Sequence, residues 1–277
     1  YEREWACYPE YNDFLDPGSP VFDIKLFQWE IYSRLLREEL AALPEGARIL
    51  DAGGGVGRAA APLCRRGFEV TLVDSSPRAL EAAWKHLSSA HGNRDDIRGK
   101  KGGVARGCGY DIAWGDVSDL HFIEDDTYDA AVSLEVFCYL DDPARALAET
   151  VRCVRPGGWV AFSVENKAGA MMADPALRDM NTLKLLNSKH VYVEGDLYVE
   201  YFDQVELAGM AEAAGMRKIT VEGCHYIADG LFSRLATERA LSDPEKRRRF
   251  HAVEKTLRDV PGINRLGRAW FVSGRVE

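Results

Sequence analysis

The chain lacks several features that would have decided its class at once. No apolar run approaches the ~20 residues of a membrane-spanning helix and no signal peptide is visible, so no membrane span is expected, and the cysteine usage reads as that of a reducing cytoplasm. Its six cysteines (Cys7, Cys64, Cys108, Cys138, Cys153 and Cys224) are scattered and form no C-x-x-C pair. That spacing supports neither a zinc site nor a disulfide framework, and the thiols read as small apolar fillers. An excess of positive charge is also missing: 35 Lys and Arg stand against 44 Asp and Glu, a net charge of −9. Phosphate backbones demand a basic stripe, so nucleic acid is not expected as a partner. The basic cluster Lys246-Arg247-Arg248-Arg249 and the stretch 94–106 are local and read as a solvated helix face and a surface loop. With 277 residues, 46% hydrophobic and 29% charged, the chain can bury one large core and a small cap.

What the chain does contain is a glycine run in a telling place. Asp51-Ala52-Gly53-Gly54-Gly55-Val56-Gly57 follows the apolar segment Ala47–Leu50 and precedes a helix-like segment from Arg58 to Arg66. Glycines let the backbone approach a ligand with no Cβ in the way. The helix that follows turns its free N–H groups to the same spot. Gly55-Val56-Gly57-Arg58-Ala59-Ala60 also satisfies the G-x-G-x-x-A dinucleotide fingerprint, and Asp74 closes the next apolar run where a ribose-binding acid belongs. From these residues alone a nicotinamide or flavin cofactor remains open.

The surrounding pattern alternates. A helix over 21–43 ends at Pro44-Glu45-Gly46. Then come strand 48–51, helix 57–66, strand 68–73 and helix 77–90, which Pro77 starts with Ser75 or Ser76 as cap. Residues 91–110, rich in Gly, Arg, Lys and Asp, read as an inserted surface loop. After it follow strands 111–114 and 128–133, helix 142–154, strand 158–164, an interruption over 166–200, helix 201–214, strand 219–226, helical residues 230–259 and a last strand 269–276. Such alternation implies a mainly parallel, doubly wound sheet covered on both faces. Ligands of such sheets sit beyond the carboxyl ends of the strands, where the glycine run, Asp74, Asp116 and Glu135 all fall.

The run Asp51-x-Gly53-x-Gly55-x-Gly57 resembles the first motif of class I S-adenosylmethionine-dependent methyltransferases, D-x-G-x-G-x-G. Asp74 matches the family's acid for both ribose hydroxyls. Gly115-Asp116-Val117 resembles the motif that reads adenine, and Ser133-Leu134-Glu135-Val136 the segment lining the methyl-donor pocket. Arg155-Pro156-Gly157-Gly158 resembles the turn before the family's fifth strand. The resemblance spans residues 46–165 strongly. It implies an α/β, doubly wound, mainly parallel seven-stranded sheet of the Rossmann-like methyltransferase type, its last strand antiparallel and inserted beside strand five. A single domain over 1–277 is expected, with an N-terminal helical lid (1–45), a cofactor-binding core (46–165), a substrate cap (166–200) and a C-terminal part (201–277). The implied cofactor is S-adenosyl-L-methionine, leaving as S-adenosyl-L-homocysteine. Its contacts are Asp51, Gly53, Gly55, Asp74, Ser75, Asp116, Val117 and Glu135, with Tyr11 folding over from the N-terminal segment.

The physical chemistry of these positions stands beside the resemblance. A carboxylate at a strand end accepts two hydrogen bonds from a cis-diol, an acid beside adenine accepts from its amine, and a sulfonium favours acids over Lys or Arg. The acceptor side is thinner. An oxygen acceptor of high pKa needs a base, for which His225, with Tyr226 beside it, and His190 are the catalytic candidates. Tyr139, Asn166 and Tyr201 are the candidates for lining the substrate, and Trp29 and Tyr32 read as half-buried core. No N-P-P-Y run follows strand four, against base N-methylation, and no acid constellation of the catechol type suggests a metal. The reading is methyl transfer to O, N or C of a small organic molecule by a monomer or homodimer. A peptide side chain, a dinucleotide-dependent oxidoreductase and a non-catalytic cofactor-binding scaffold are the alternatives.

Overall fold

The computed structural model describes residues 16–91, 104–107, 109–173, 185, 187–193, 197–228, 230, 232 and 237–277. The apolar run ahead of the glycines forms β1 (Arg48–Ala52), buried from its second residue onward. It pairs in parallel with β2 (Glu69–Asp74) on one side and β5 (Tyr128–Leu134) on the other. β4 (Tyr110–Trp114) extends the sheet beyond β2, and β6 (Val154–Glu165) extends it beyond β5, again in parallel. Strands covered on both faces need apolar residues throughout rather than alternately, which is why Leu50, Leu72, Val73, Ala130, Ala131 and Val132 are all fully buried. β10 (Ala269–Val276) runs antiparallel between β6 and β9 (Met216–Cys224), the placement expected for the last strand.

An eighth strand corrects the sequence reading. β3 (Val104–Gly107) lies antiparallel on β4 at the sheet edge, inside the segment read as a surface loop. Its Gly- and charge-rich surroundings hide the strand, because an edge strand needs fewer apolar residues. The full order is β3-β4-β2-β1-β5-β6-β10-β9. β1 therefore sits at the topological switch, with the chain winding outward from it in both directions, and a crevice opens at the carboxyl ends of β1 and β5.

α1 (Phe22–Glu39) lays Phe27, Ile31, Tyr32, Leu35 and Leu36 on the core. α2 (Ala60–Arg65) begins three residues later than expected, because Gly57 takes a left-handed φ of 81° and the chain is still turning. α3 (Pro77–His91) follows β2, and Ser76 rather than Ser75 caps it, its Oγ accepting the Ala79 N–H at 3.3 Å. α4 (Pro143–Arg152) has Pro143 in its first turn and the Asp142 carboxylate as cap. Arg155-Pro156-Gly157-Gly158 falls inside the irregular start of β6. Gly157 has a φ of 79°, and a Cβ on Gly158 would lie 2.7 Å from the Asp129 carbonyl, so both glycines are explained by the turn.

The interruption after β6 contains α5 (Lys167–Ala173) and an antiparallel hairpin of β7 (His190–Val193) and β8 (Leu197–Glu200). Val191 and Val199 pack with Ala170, Leu185 and Tyr201 in a small core, against which Tyr139 leans. α6 (Gln204–Ala213), capped by Asp203, returns the chain to β9. β9 ends at Cys224, two residues short of the expected strand, so His225 and Tyr226 stand just past its carboxyl end. α7 (Glu238–Leu241) and α8 (Pro244–Asp259) then cross to α1. There Arg247 meets Asp23 at 3.3 Å, and His251 meets Glu30 at 2.7 Å.

Candidate active site

The glycine turn is fixed from below by backbone bonds. The Gly53 and Gly54 N–H groups both donate to the Val73 carbonyl, at 2.7 and 3.1 Å. Gly53, Gly55 and Gly57 all have positive φ, of 75°, 54° and 81°. Side chains on the turn are excluded for different reasons. A Cβ on Gly53 would meet Val136 at 2.6 Å, whereas a Cβ on Gly55 would meet nothing within 4 Å. The space over Gly55 is thus open to a ligand, and the residues around it fit an adenosyl cofactor with acidic contacts.

Two buried carboxylates hold the turn. Asp74, at the end of β2, accepts the Gly55 N–H at 2.9 Å through Oδ2 and the Ser76 N–H at 2.8 Å through Oδ1. A carboxylate so placed at a strand end suits the two hydroxyls of a ribose diol. Asp51 accepts the Ala60 N–H at 3.1 Å, tying β1 to the start of α2. Burial pushes its carboxyl up to about 7; the neighbouring Asp74 adds to the rise, while the Ala60 N–H and Arg58 oppose it. Asp116 is exposed past the end of β4 and organises its own turn by accepting the Ser118 N–H at 2.8 Å. Val117 beside it is buried. Ser75 is exposed, and its carbonyl accepts from the Trp114 indole at 2.9 Å. Trp114, 42% exposed at this rim, was not singled out in the sequence. Tyr11 lies outside the described residues.

A second cluster faces the other side of the crevice. Glu135 closes β5 in a left-handed conformation, φ 58°, held by its N–H, which donates to the Ser163 Oγ at 2.9 Å and to the Ser163 carbonyl at 3.2 Å. His225 is also left-handed, φ 63°. Non-glycine residues in this region store strain, and such strain gathers at functional sites. The His225 ring is 2% exposed and lies 4.4 Å from the ring of Tyr32, whose hydroxyl faces Glu135 and Ser163. Burial, with Glu135 adding to it, holds that hydroxyl protonated well above its usual range. Burial also acts to raise the Glu135 carboxyl, but Arg58, His225 and Lys25 outweigh it and keep the group below its ordinary value. Arg58 reaches Glu135 at 3.5 Å. Beneath them Arg268 pairs with Glu165, and its guanidinium sits 5.8 Å over the Tyr201 ring. Burial lowers its pKa, against the pull of Tyr139, Cys138 and Glu135.

The remaining candidates divide. Tyr226 does not join His225: its hydroxyl bonds to the carbonyls of Gly223 and Asn264, at 2.9 and 3.0 Å, and pins the turn after β9. Asn166 is fully buried and donates to the carbonyls of Arg265 and Gly267, at 2.8 and 2.7 Å, while accepting the Ala168 N–H. These two residues are fastenings. His190 is exposed on the hairpin, its ring tilted 5.1 Å from that of Tyr198. Tyr139 is half-buried between the main core and the hairpin core, and Tyr201 is buried beside Arg268. Arg58, Ser163 and Arg268 were missed, because nothing in their local sequence separates them from surface or strand residues.

Comparison with known proteins agrees with this geometry. A methyltransferase-domain family model matches residues 25–221, most of the chain. A ubiquinone biosynthesis O-methyltransferase of Thiobacillus denitrificans is 28% identical over 182 residues, covering 65% of this chain and 69% of its own. One from Alkalilimnicola ehrlichii is 34% identical over 125 residues, 44% of this chain and 43% of its own. Among solved structures, a magnesium protoporphyrin IX methyltransferase from Synechocystis with bound SAH superposes with a TM-score of 0.59 at 14% identity, covering 98% of this chain and 95% of the other. A methyltransferase from Thermotoga maritima described as a possible histamine N-methyltransferase gives 0.56 at 18% identity, over 98% and 100%. The dinucleotide alternative falls with these matches. A glycine cradle over β1, acids at the ends of β1, β2 and β4 and a family match across most of the chain place it among the S-adenosylmethionine-dependent class I methyltransferases.

Proposed function

We propose that this methyltransferase acts on a hydroxyl oxygen of a small organic molecule, with His225 as the group that takes the proton. The single observation that carries the reading is the convergence of Tyr32, Glu135 and His225 at the carboxyl edge of the sheet, across the crevice from the glycine cradle. The ubiquinone biosynthesis relatives, named as O-methyltransferases, support the same atom type.

In this reading Gly53, Gly55, Asp51, Asp74 and Asp116 hold the cofactor. Bound there, S-adenosylmethionine supplies a sulfonium-activated methyl group. The chain's own work is positioning and proton handling. Asp74 and Asp116 orient the adenosine by its polar groups. Glu135, kept ionised by Arg58 and Lys25, presents negative charge to the crevice. Tyr32 packs on the His225 ring and fixes its plane. His225 then accepts the hydroxyl proton as the acceptor oxygen becomes nucleophilic. The hairpin of β7 and β8 closes the acceptor side and excludes water. The experiment is transfer of a labelled methyl group to a panel of hydroxylated, amino and carbon-acid aromatics. Labelling of hydroxyl acceptors that is lost in His225→Asn supports the reading. Labelling of amines alone, or full activity in His225→Asn, overturns it.

A further inference from the structure

Beside α2, bordering the glycine turn, lies a cleft of about 130 Å³ shared by three helices. α1 contributes Lys25 and Trp29, the turn before α2 Arg58, the end of α2 Arg65, and α3 His86. A single water needs only ~10–15 Å³ by such a measure, so the cleft has room for a tetrahedral or planar anion. Its charge is out of keeping with the chain, which carries a net −9.

That concentration is not an accident of a basic helix face, because the acids of the same helices are directed elsewhere. On α1, Asp23 and Glu30 pair with Arg247 and His251 of α8, and Glu38 pairs with Arg258. On α3, Glu81 pairs with Lys85 one turn on. Two acids of the crevice reach the cleft's cations: Glu135, through Arg58 at 3.5 Å, and Asp51, whose carboxyl Arg58 also acts to lower. Lys25 and Arg58 both lower the Glu135 carboxyl, so both cations lie within electrostatic reach of one carboxylate. Arg65 has no ion-pair partner among the described residues. The positions of the aromatic and the imidazole are set as well: Arg58 lies 5.9 Å over the Trp29 ring, and His86 Nδ1 is 3.1 Å from the Val56 carbonyl. Glu135 answers Arg58 and Lys25, whereas the exposed Arg65 meets no carboxylate among the described residues, and guanidinium groups match phosphate and carboxylate oxygens in pairs.

We propose that this cleft binds a small anion, a phosphate or carboxylate group, alone or carried on a small molecule. The cleft borders the methyl-transfer site through Arg58 and Lys25, so its test turns on Arg65 and uses neither donor nor acceptor. Inorganic phosphate, methyl phosphate and acetate are titrated calorimetrically, in low-salt chloride buffer, into the wild-type protein, Arg65→Gln, Arg65→Glu and Arg249→Glu. Arg249 lies on α8, where its side chain is 76% exposed, and serves as the charge control. Saturable binding is expected, weakened tenfold or more in Arg65→Glu, less in Arg65→Gln, and unchanged in Arg249→Glu. Tighter binding of inorganic phosphate assigns the site to free phosphate, of methyl phosphate to an organic phosphate, and of acetate to a carboxylate. No saturable binding of any of the three, or equal weakening in Arg65→Glu and Arg249→Glu, overturns the proposal.

Discussion

The two sides of the crevice are assembled in different ways. On the donor side, Asp51, Gly53, Gly55 and Asp74 come from one β-α-β unit, and their geometry is closed within it: a turn whose φ angles need glycine, and two carboxylates that bond to backbone N–H groups of the same unit, 9 and 19 residues away. On the acceptor side, Tyr32, Glu135, Ser163 and His225 come from α1, the end of β5, β6 and the turn after β9. They meet only because the sheet order brings β6, β10 and β9 side by side. The left-handed positions show the same contrast. The donor side uses glycines, which adopt φ > 0 without strain, whereas the acceptor side forces Glu135 and His225 into that region. A turn that cradles a ligand can be written into consecutive residues; the cluster we propose as proton-handling is written into the tertiary fold.

Substitutions can separate the two sides, and the largest expected effect is on the acceptor side. His225→Asn should lower kcat by roughly a hundredfold to ten-thousandfold, the range of a removed general base. The Kd for S-adenosylhomocysteine should stay within threefold in the same variant. A parallel loss of cofactor affinity would show that the sides are not separable. Asp74→Asn should do the opposite, weakening S-adenosylhomocysteine by about a hundredfold through the loss of charged hydrogen bonds. Calorimetry reads both.

Gly55→Ala sharpens the donor side. Nothing in the protein would touch the new Cβ, so the loss of stability should stay near the ~1–2 kcal/mol of a left-handed alanine. Cofactor affinity should nevertheless fall at least tenfold, because the Cβ enters the ligand's space. Equal affinity in wild type and variant would mean that the cofactor does not pass over Gly55.

Asp51→Asn tests the strain carried by the donor side. A folded-state value of about 7 lies above the ordinary carboxyl value of 3.8, so the folded form holds a proton that the unfolded form has lost. This group's contribution to stability is fully present below about pH 4 and is lost as pH rises toward 7. The variant should therefore melt higher than wild type at pH 8, by an amount on the order of a few kcal/mol at most, and should lose that advantage at pH 4. Its cofactor affinity should drop. The smallest effect is expected for Tyr226→Phe: about 1 kcal/mol of stability from the lost carbonyl bond, with kcat unchanged.

Legibility in the sequence followed the same division. The strand–glycine–helix unit, Asp74 and Asp116 could be placed from spacing, since each is fixed by its own turn. β3 was hidden because an edge strand next to a glycine-rich segment carries no apolar period. Tyr226 draws attention by standing next to His225, yet the chain turns at the left-handed His225, past the end of β9, and the Tyr226 hydroxyl faces the Gly223 and Asn264 carbonyls instead. Tyr32 reads as half-buried core from the sequence, and the fold buries it outright at 1% exposure. Its hydroxyl end, facing Glu135 and Ser163, belongs to the site, and no periodicity distinguishes the ring from its tip. Asn166 shows the converse: a polar residue beside a cap insertion, used entirely to fasten the turn at Arg265 and Gly267.

The most direct test of this division is a single set of calorimetric titrations of S-adenosylhomocysteine into wild type, Asp74→Asn and His225→Asn. The division predicts wild-type affinity in His225→Asn and roughly a hundredfold weaker binding in Asp74→Asn. Loss in both variants, or retention in both, would contradict it.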